Sequence, residues 1–62
     1  MKAYKEEGYT VQPLKDEGIY SIDKVTEKDG NIYYDIYDQE QNLVNTFRSI
    51  KEARNWCKMM QR

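Results

Sequence analysis

Histidine is absent from the 62-residue chain, and cysteine and proline occur once each. Without histidine the chain lacks the commonest general base and the commonest side-chain metal ligand. A single cysteine, Cys57, cannot close an internal disulfide, which suits a fold kept in a reducing compartment. Glycine occurs three times, at Gly8, Gly18 and Gly30, too scattered for a phosphate-cradling loop, and each reads as a turn residue. No apolar run approaches the ~20 residues that span a bilayer, and the first residues lack the apolar stretch of a secretion signal. The expected location is the cytoplasm, with no membrane contact. Ten Lys and Arg against eleven Asp and Glu leave a net charge of -1, which removes the global attraction to phosphate of a dedicated nucleic-acid binder.

What is present is enough for one small domain. Hydrophobic residues make up 39% and charged residues 34% of the chain, a polar balance, but a 13% aromatic fraction supplies large apolar groups that a disordered tail lacks. The expected fold is α+β: a three-stranded antiparallel meander with one C-terminal helix packed on one face. Residues 1–17 form a polar lead and residues 18–62 the βββα domain.

Ile19-Tyr20-Ser21-Ile22-Asp23-Lys24-Val25-Thr26 is rich in β-branched and aromatic residues and ends at Glu27-Lys28-Asp29-Gly30-Asn31, which predicts a strand over residues 19–26 and a hairpin. The return strand, Ile32 to Asp38, alternates Ile32, Tyr34 and Ile36 on a buried face with Tyr33, Asp35 and Tyr37 on the other. A glycine-bulge loop sets Ile22 opposite Ile36, whereas a strict two-residue Asp29-Gly30 turn would oppose Asp23 to Ile36; the first is preferred. It leaves Asp23 facing Asp35, a like-charge pair that costs stability unless Lys24 or another cation reaches across. Gln39 to Asn42 is a polar connection into a third strand, Leu43 to Phe47. In the lead, Tyr9-Thr10-Val11-Gln12 fits a short extra strand that Pro13 ends or confines to an edge, with Leu14 dropping onto the core; Met1 to Gly8 is expected to be loose. The rings of Tyr4 and Tyr9 offer an alternative cover for one end of the core.

Ser49-Ile50-Lys51-Glu52 matches a capping box and predicts a helix start. At helical spacing Ile50, Ala53, Trp56, Cys57 and Met60 fall in one apolar arc, and Lys51, Arg54, Lys58 and Arg62 in an opposite basic one. Three or four turns are too few to be stable alone, so the apolar arc must lie on the sheet. The charge is polarised: residues 1–47 hold five Lys against ten acids, net -5, and residues 48–62 hold five Lys and Arg against Glu52, net +4.

Several residues invite a chemical role and have a plainer one. Cys57 lies in the apolar arc with no histidine to activate it and reads as a small core hydrophobe. Ser49 is committed as a helix cap. Asp35, Asp38, Glu40 and Asn42 cluster around a turn but lack the alternating order of a calcium loop, so no metal is assigned. No cofactor is expected, and no enzymatic activity.

The run Phe47-Arg48-Ser49-Ile50-Lys51-Glu52-Ala53-Arg54-Asn55-Trp56 resembles the pattern F-x-S/T-x-x-E-A-x-x-W that closes small strand-strand-strand-helix domains. Examples are the N-terminal arm-DNA-binding domains of phage tyrosine integrases and many short phage and bacterial proteins. The resemblance spans roughly residues 18 to 60 and implies architecture: a cap, a staple and a core tryptophan. In the integrase domains the open sheet face enters the major groove with basic side chains, while the matching positions here are acidic and aromatic. Carboxylates at Asp23 and Asp35 would repel phosphates, so the DNA-binding role does not carry over.

The expected function is therefore to bind another protein, as a phage or mobile-element accessory or inhibitory protein of the anti-defence type, by steric or competitive occupancy. Tyr33 and Tyr37 supply the aromatic contact area, and Asp23, Asp35 and Asp38 engage basic residues of the partner. The plainer reading is that the N-terminal lead folds over this face. The alternative function is weak nucleic-acid binding through Lys51, Arg54, Lys58 and Arg62, with steep salt dependence. An open sheet edge also allows a homodimer.

Overall fold

The computed structural model describes residues 8–62 and the backbone of residues 4–6. Five antiparallel strands follow one another in chain order, β1 (Tyr4–Glu6), β2 (Tyr9–Pro13), β3 (Ser21–Thr26), β4 (Ile32–Tyr37) and β5 (Leu43–Phe47), and α1 (Ile50–Met60) closes the chain. The meander and the helix match the expectation. The extra strand in the lead is β2, as its β-branched pattern suggests. The strand β1 corrects the expectation of a loose Met1 to Gly8, because Tyr4 pairs with Val11 and Glu6 with Tyr9. Residues 1–3 and the Tyr4 ring lie outside the described residues.

The central hairpin adopts the glycine-bulge register. Ile22 pairs with Ile36 and Asp23 with Asp35. Glu27 N–H donates to the Asn31 carbonyl (2.8 Å) and Gly30 N–H to the Glu27 carbonyl (2.9 Å), with Gly30 at φ +96°. The Asp29 carboxylate accepts from the Asn31 backbone N–H at 3.2 Å, which braces the loop. The next hairpin repeats this construction with Asp38, Gln41 and Asn42: Gln41 N–H donates to the Asp38 carbonyl and Asp38 N–H to the Asn42 carbonyl, both at 3.0 Å. Its left-handed position is held by Gln41 at φ +67°, where a Cβ is unfavourable.

The core lies between β3, β4, β5 and α1. Ile22, Ile36, Ala53 and Cys57 are fully buried, and Leu14, Tyr20, Tyr34, Phe47, Ile50 and Trp56 pack around them. Trp56 touches Tyr20 (5.4 Å between ring centroids) and Phe47 (6.2 Å) in tilted geometry, each pair worth about 0.5–1.5 kcal/mol beyond area burial. The Ser49 Oγ accepts from Glu52 N–H at 3.4 Å, so the capping serine starts the helix as read. Met60 corrects the expected apolar arc: it is 54% exposed, past the point where the helix still faces the sheet. Ile32 shares the buried face by alternation but is 37% exposed. Tyr9 does not cover the core, since it lies on the opposite side of the sheet among the residues of the open face. On the edge strand β5, Thr46 N–H donates to Asn45 Oδ1 at 2.8 Å, which occupies one backbone donor there.

One contact is absent from any reading of the sequence. The Gln61 carboxamide joins the helix end to the tight turn between Glu17 and Tyr20: Ile19 N–H donates to its Oε1 (3.0 Å), and its Nε2 donates to the carbonyls of Glu17 (2.8 Å) and Cys57 (2.9 Å). One residue back from Ile19, Gly18 sits at φ +65°, and a Cβ there would run into the Gln61 amide. Arg54, seven residues earlier and on nearly the same helix face, makes an ion pair with Glu17 at 2.9 Å.

Two stability predictions follow from these turns. Gln41→Gly relieves the left-handed strain, and after the glycine entropy cost it raises stability by about 0.5 kcal/mol, seen as a melting-temperature gain of about 2–4 °C. Gln61→Ala lowers stability by about 1–2 kcal/mol in urea titration, and Gly18→Ala costs less in the Gln61→Ala background than in the wild type, because the collision partner is gone.

Candidate functional site

The sheet has two faces and one helix. Alternation along β3 and β4 sends Ile22 and Ile36 to the helix and Asp23, Val25, Tyr33, Asp35 and Tyr37 to the other side. No described element lies over that side. The described part of the N-terminal lead does not fold across it as the plainer reading supposed; its β2 strand pairs with the edge of β3 and widens the face instead, bringing Tyr9 and Val11 into it.

The result is a shallow hollow of about 320 Å³. Register places its residues in rows. Val11, Val25 and Tyr33 are consecutive neighbours across β2, β3 and β4; two residues along, Pro13, Asp23, Asp35 and Thr46 form the next row; then come Ser21 and Tyr37. The acidic row therefore runs between an aromatic-aliphatic ridge and Tyr37. Val25 is only 4% exposed although no helix covers it, since Val11 and Tyr33 flank it across the strands.

The two carboxylates differ in their surroundings. Asp35 Oδ1 accepts from the Thr46 hydroxyl at 2.9 Å. Partial burial, and then the negative charge of Asp35, push the Asp23 carboxyl up from its ordinary value. Lys24, one cation that could have relieved the pair, is on the helix side of the sheet, in register with Gln12 and Tyr34. The one ion pair among the described residues is Arg54 with Glu17, remote from this face. Burial, followed by Asp35, Tyr9 and Glu27, also pushes the Tyr33 phenol up, against a smaller opposing effect of Arg48, so the ring keeps its proton and remains a hydrogen-bond donor near neutral pH.

Asp38, the fifth residue expected to meet a partner, does not line the hollow. Its Oδ1 accepts from the backbone N–H of Glu40 and of Asn42, both at 2.9 Å, and its Oδ2 from Asn42 Nδ2 at 3.5 Å. Those bonds hold its carboxyl below the usual range. Asp38 is a turn brace, and no trio of His, Cys, Asp or Glu side chains that could hold a metal ion occurs among the described residues.

On the helix, Lys51, Lys58 and Arg62 are exposed while Arg54 is committed to Glu17 and the Lys15 carbonyl, so the basic stripe is interrupted at its middle. Cys57 is fully buried, and burial, then the charge of Glu17, push its thiol up, away from the reactive thiolate. Among the described residues, no helix is long and apolar enough to cross a membrane.

No protein-family model, no curated protein and no solved structure matches this chain. Tyr33, Tyr37, Asp23 and Asp35 were readable from period-two alternation. Tyr9 and Val11 were not assigned, although they share a face by the same alternation, because the pairing of β2 with β3 decides which face that is.

A raised carboxylate pKa means that ionised Asp23 disfavours the folded state. Its stabilising contribution is complete at low pH, where it is protonated in both states, and is lost as pH rises through its folded-state value. Asp23→Asn should thus raise stability by about 0.5 kcal/mol at pH 7, the scale of a cross-strand pair, with no gain below about pH 4. Asp38→Asn should act in the opposite sense, since the bonds that lower its pKa stabilise the fold above the ordinary carboxylate range and fade as pH falls. Thermal melts of the three proteins across pH 3 to 7 read both signs.

Proposed function

We propose that this is a small non-enzymatic protein-binding module that works in the cytoplasm by covering a surface of another protein, in the manner of a phage or mobile-element accessory protein or inhibitor. The observation that carries this reading is a hollow, uncovered by any described element, with three tyrosines around a paired carboxylate row. Tyrosine offers large contact area at small entropic cost and is enriched where interfaces concentrate their binding energy. A like-charge pair left at the centre of an open face lowers the stability of the free protein, a cost expected where a residue is kept for a partner. The phage and inhibitor assignments rest on chain size and on the resemblance of the Phe47 to Trp56 run.

The nucleic-acid alternative has less support. Arg54 is tied to Glu17, and the sheet face that a related architecture would turn to DNA carries carboxylates.

A photo-crosslinking residue placed at Tyr33 should give a discrete protein adduct in lysate from the native host, and one placed at Lys51 should give none. Tyr33→Ala with Tyr37→Ala should weaken the captured complex by more than about tenfold without loss of fold, as expected for hot-spot residues. Adducts at Lys51 that vanish with nuclease would move the function to the helix.

A further inference from the structure

We propose that the hollow is a receptor for an arginine side chain presented by the protein partner, with the guanidinium seated over the Asp23–Asp35 row and flanked by Tyr33 and Tyr37. This rests on the protein-binding reading above and names the chemistry that the face accepts.

Three features select the occupant. Among the described residues no cation is ion-paired to the row: Asp23 and Asp35 are direct cross-strand partners, Lys24 faces the other way, the ion pair of Arg54 and Glu17 lies on the helix side, and the charge of Arg48 acts on Tyr33, one row away. A visiting cation therefore meets two carboxylates that no described basic side chain neutralises, and it relieves their mutual repulsion on arrival. The walls are aromatic. Along β4, Tyr33 and Tyr37 stand two residues to either side of Asp35, about 7 Å away at the rise of an extended strand, so rings border the acidic row on both sides. A flat guanidinium can lie against a tyrosine ring while its fork of N–H donors meets carboxylate oxygens, which a compact, strongly hydrated ammonium does less well. Acceptors are also present for a fork: Thr46 donates to one Asp35 oxygen and leaves the second for a visitor, and Asp23 is the cross-strand partner of Asp35.

The same features turn other ligands away. Phosphates are repelled by the row, and a hard divalent cation would find two carboxylates where calcium takes six to eight oxygens. The net -5 of residues 1–47 adds a longer-range attraction for a basic partner surface.

The test uses the full chain, labelled with nitrogen-15, and short acetylated glycine-serine peptides that carry one arginine, one lysine, one citrulline or one glutamate. The arginine peptide should shift the amides of Asp23, Val25, Asp35 and Tyr37 and bind about fivefold or more tighter than the lysine peptide, with no response to citrulline or glutamate. Asp23→Asn with Asp35→Asn, which removes repulsion and so keeps the fold, should abolish the response, and the well-dispersed spectrum of that variant verifies folding. Equal responses to arginine and citrulline, equal affinity for arginine and lysine, or shifts confined to other residues would overturn the arginine assignment. Loss of the arginine response with the Tyr33 crosslink intact would remove the partner chemistry and leave the interface, whereas loss of the crosslink with the arginine response intact would do the reverse.

Discussion

A single helix has to roof a sheet far wider than itself, and the rest of this structure depends on how that shortfall is met. Five strands about 4.8 Å apart set the outer two about 19 Å from each other, and an α-helix with its side chains is about 10–12 Å across. α1 lies on β4 and β5, with Ile22 of β3 at the margin of its reach. The segment between β2 and β3 fills the remaining flank by placing Leu14 and Tyr20 on the core. That segment has little regular structure of its own, so the helix holds it with the Arg54–Glu17 ion pair and two bonds of the Gln61 amide, to Ile19 and Glu17. The arginine that composition offered to phosphate is used instead to keep the roof in place.

With one helix spent on one face, the other face must be stable in contact with solvent or a partner. It achieves part of this laterally. Val25 disappears between Val11 and Tyr33 without any overlying layer among the described residues. The acidic row is the exception. Asp23 and Asp35 gain nothing from each other, and the nearest relief is a threonine hydroxyl. A surface built for stability alone would place opposite charges or threonines at such positions. Asp38, close to Asp35 in sequence, has the opposite fate, because the turn hands it two backbone donors and a side-chain amide.

Local sequence rules reached far into this protein. Alternation assigned Ile22 and Ile36 inward and Tyr33, Asp35 and Tyr37 outward, the Lys28-Asp29-Gly30 bulge loop set the register that pairs Asp23 with Asp35, and Ser49 marked the helix start. Each depends on neighbours within a few residues, where backbone geometry and side-chain alternation act directly. The rules failed at Met60, where helical spacing continues but the sheet beneath has ended, and at β1, whose polar residues carry no burial pattern and are strand only because β2 offers an edge.

The sequence by itself thus determined the strands β3 to β5, the capped helix and the two-faced character of the sheet, since these follow from local propensity and periodicity. Only the tertiary structure decided that the N-terminal lead widens the open face rather than covering it, that Lys24 and Arg54 are both withheld from the acidic row, and that Gln61 clasps the turn at Gly18. Those outcomes turn on contacts between residues up to 44 positions apart, whose existence depends on how whole elements stack and which edge is free, and no short window of sequence carries that information.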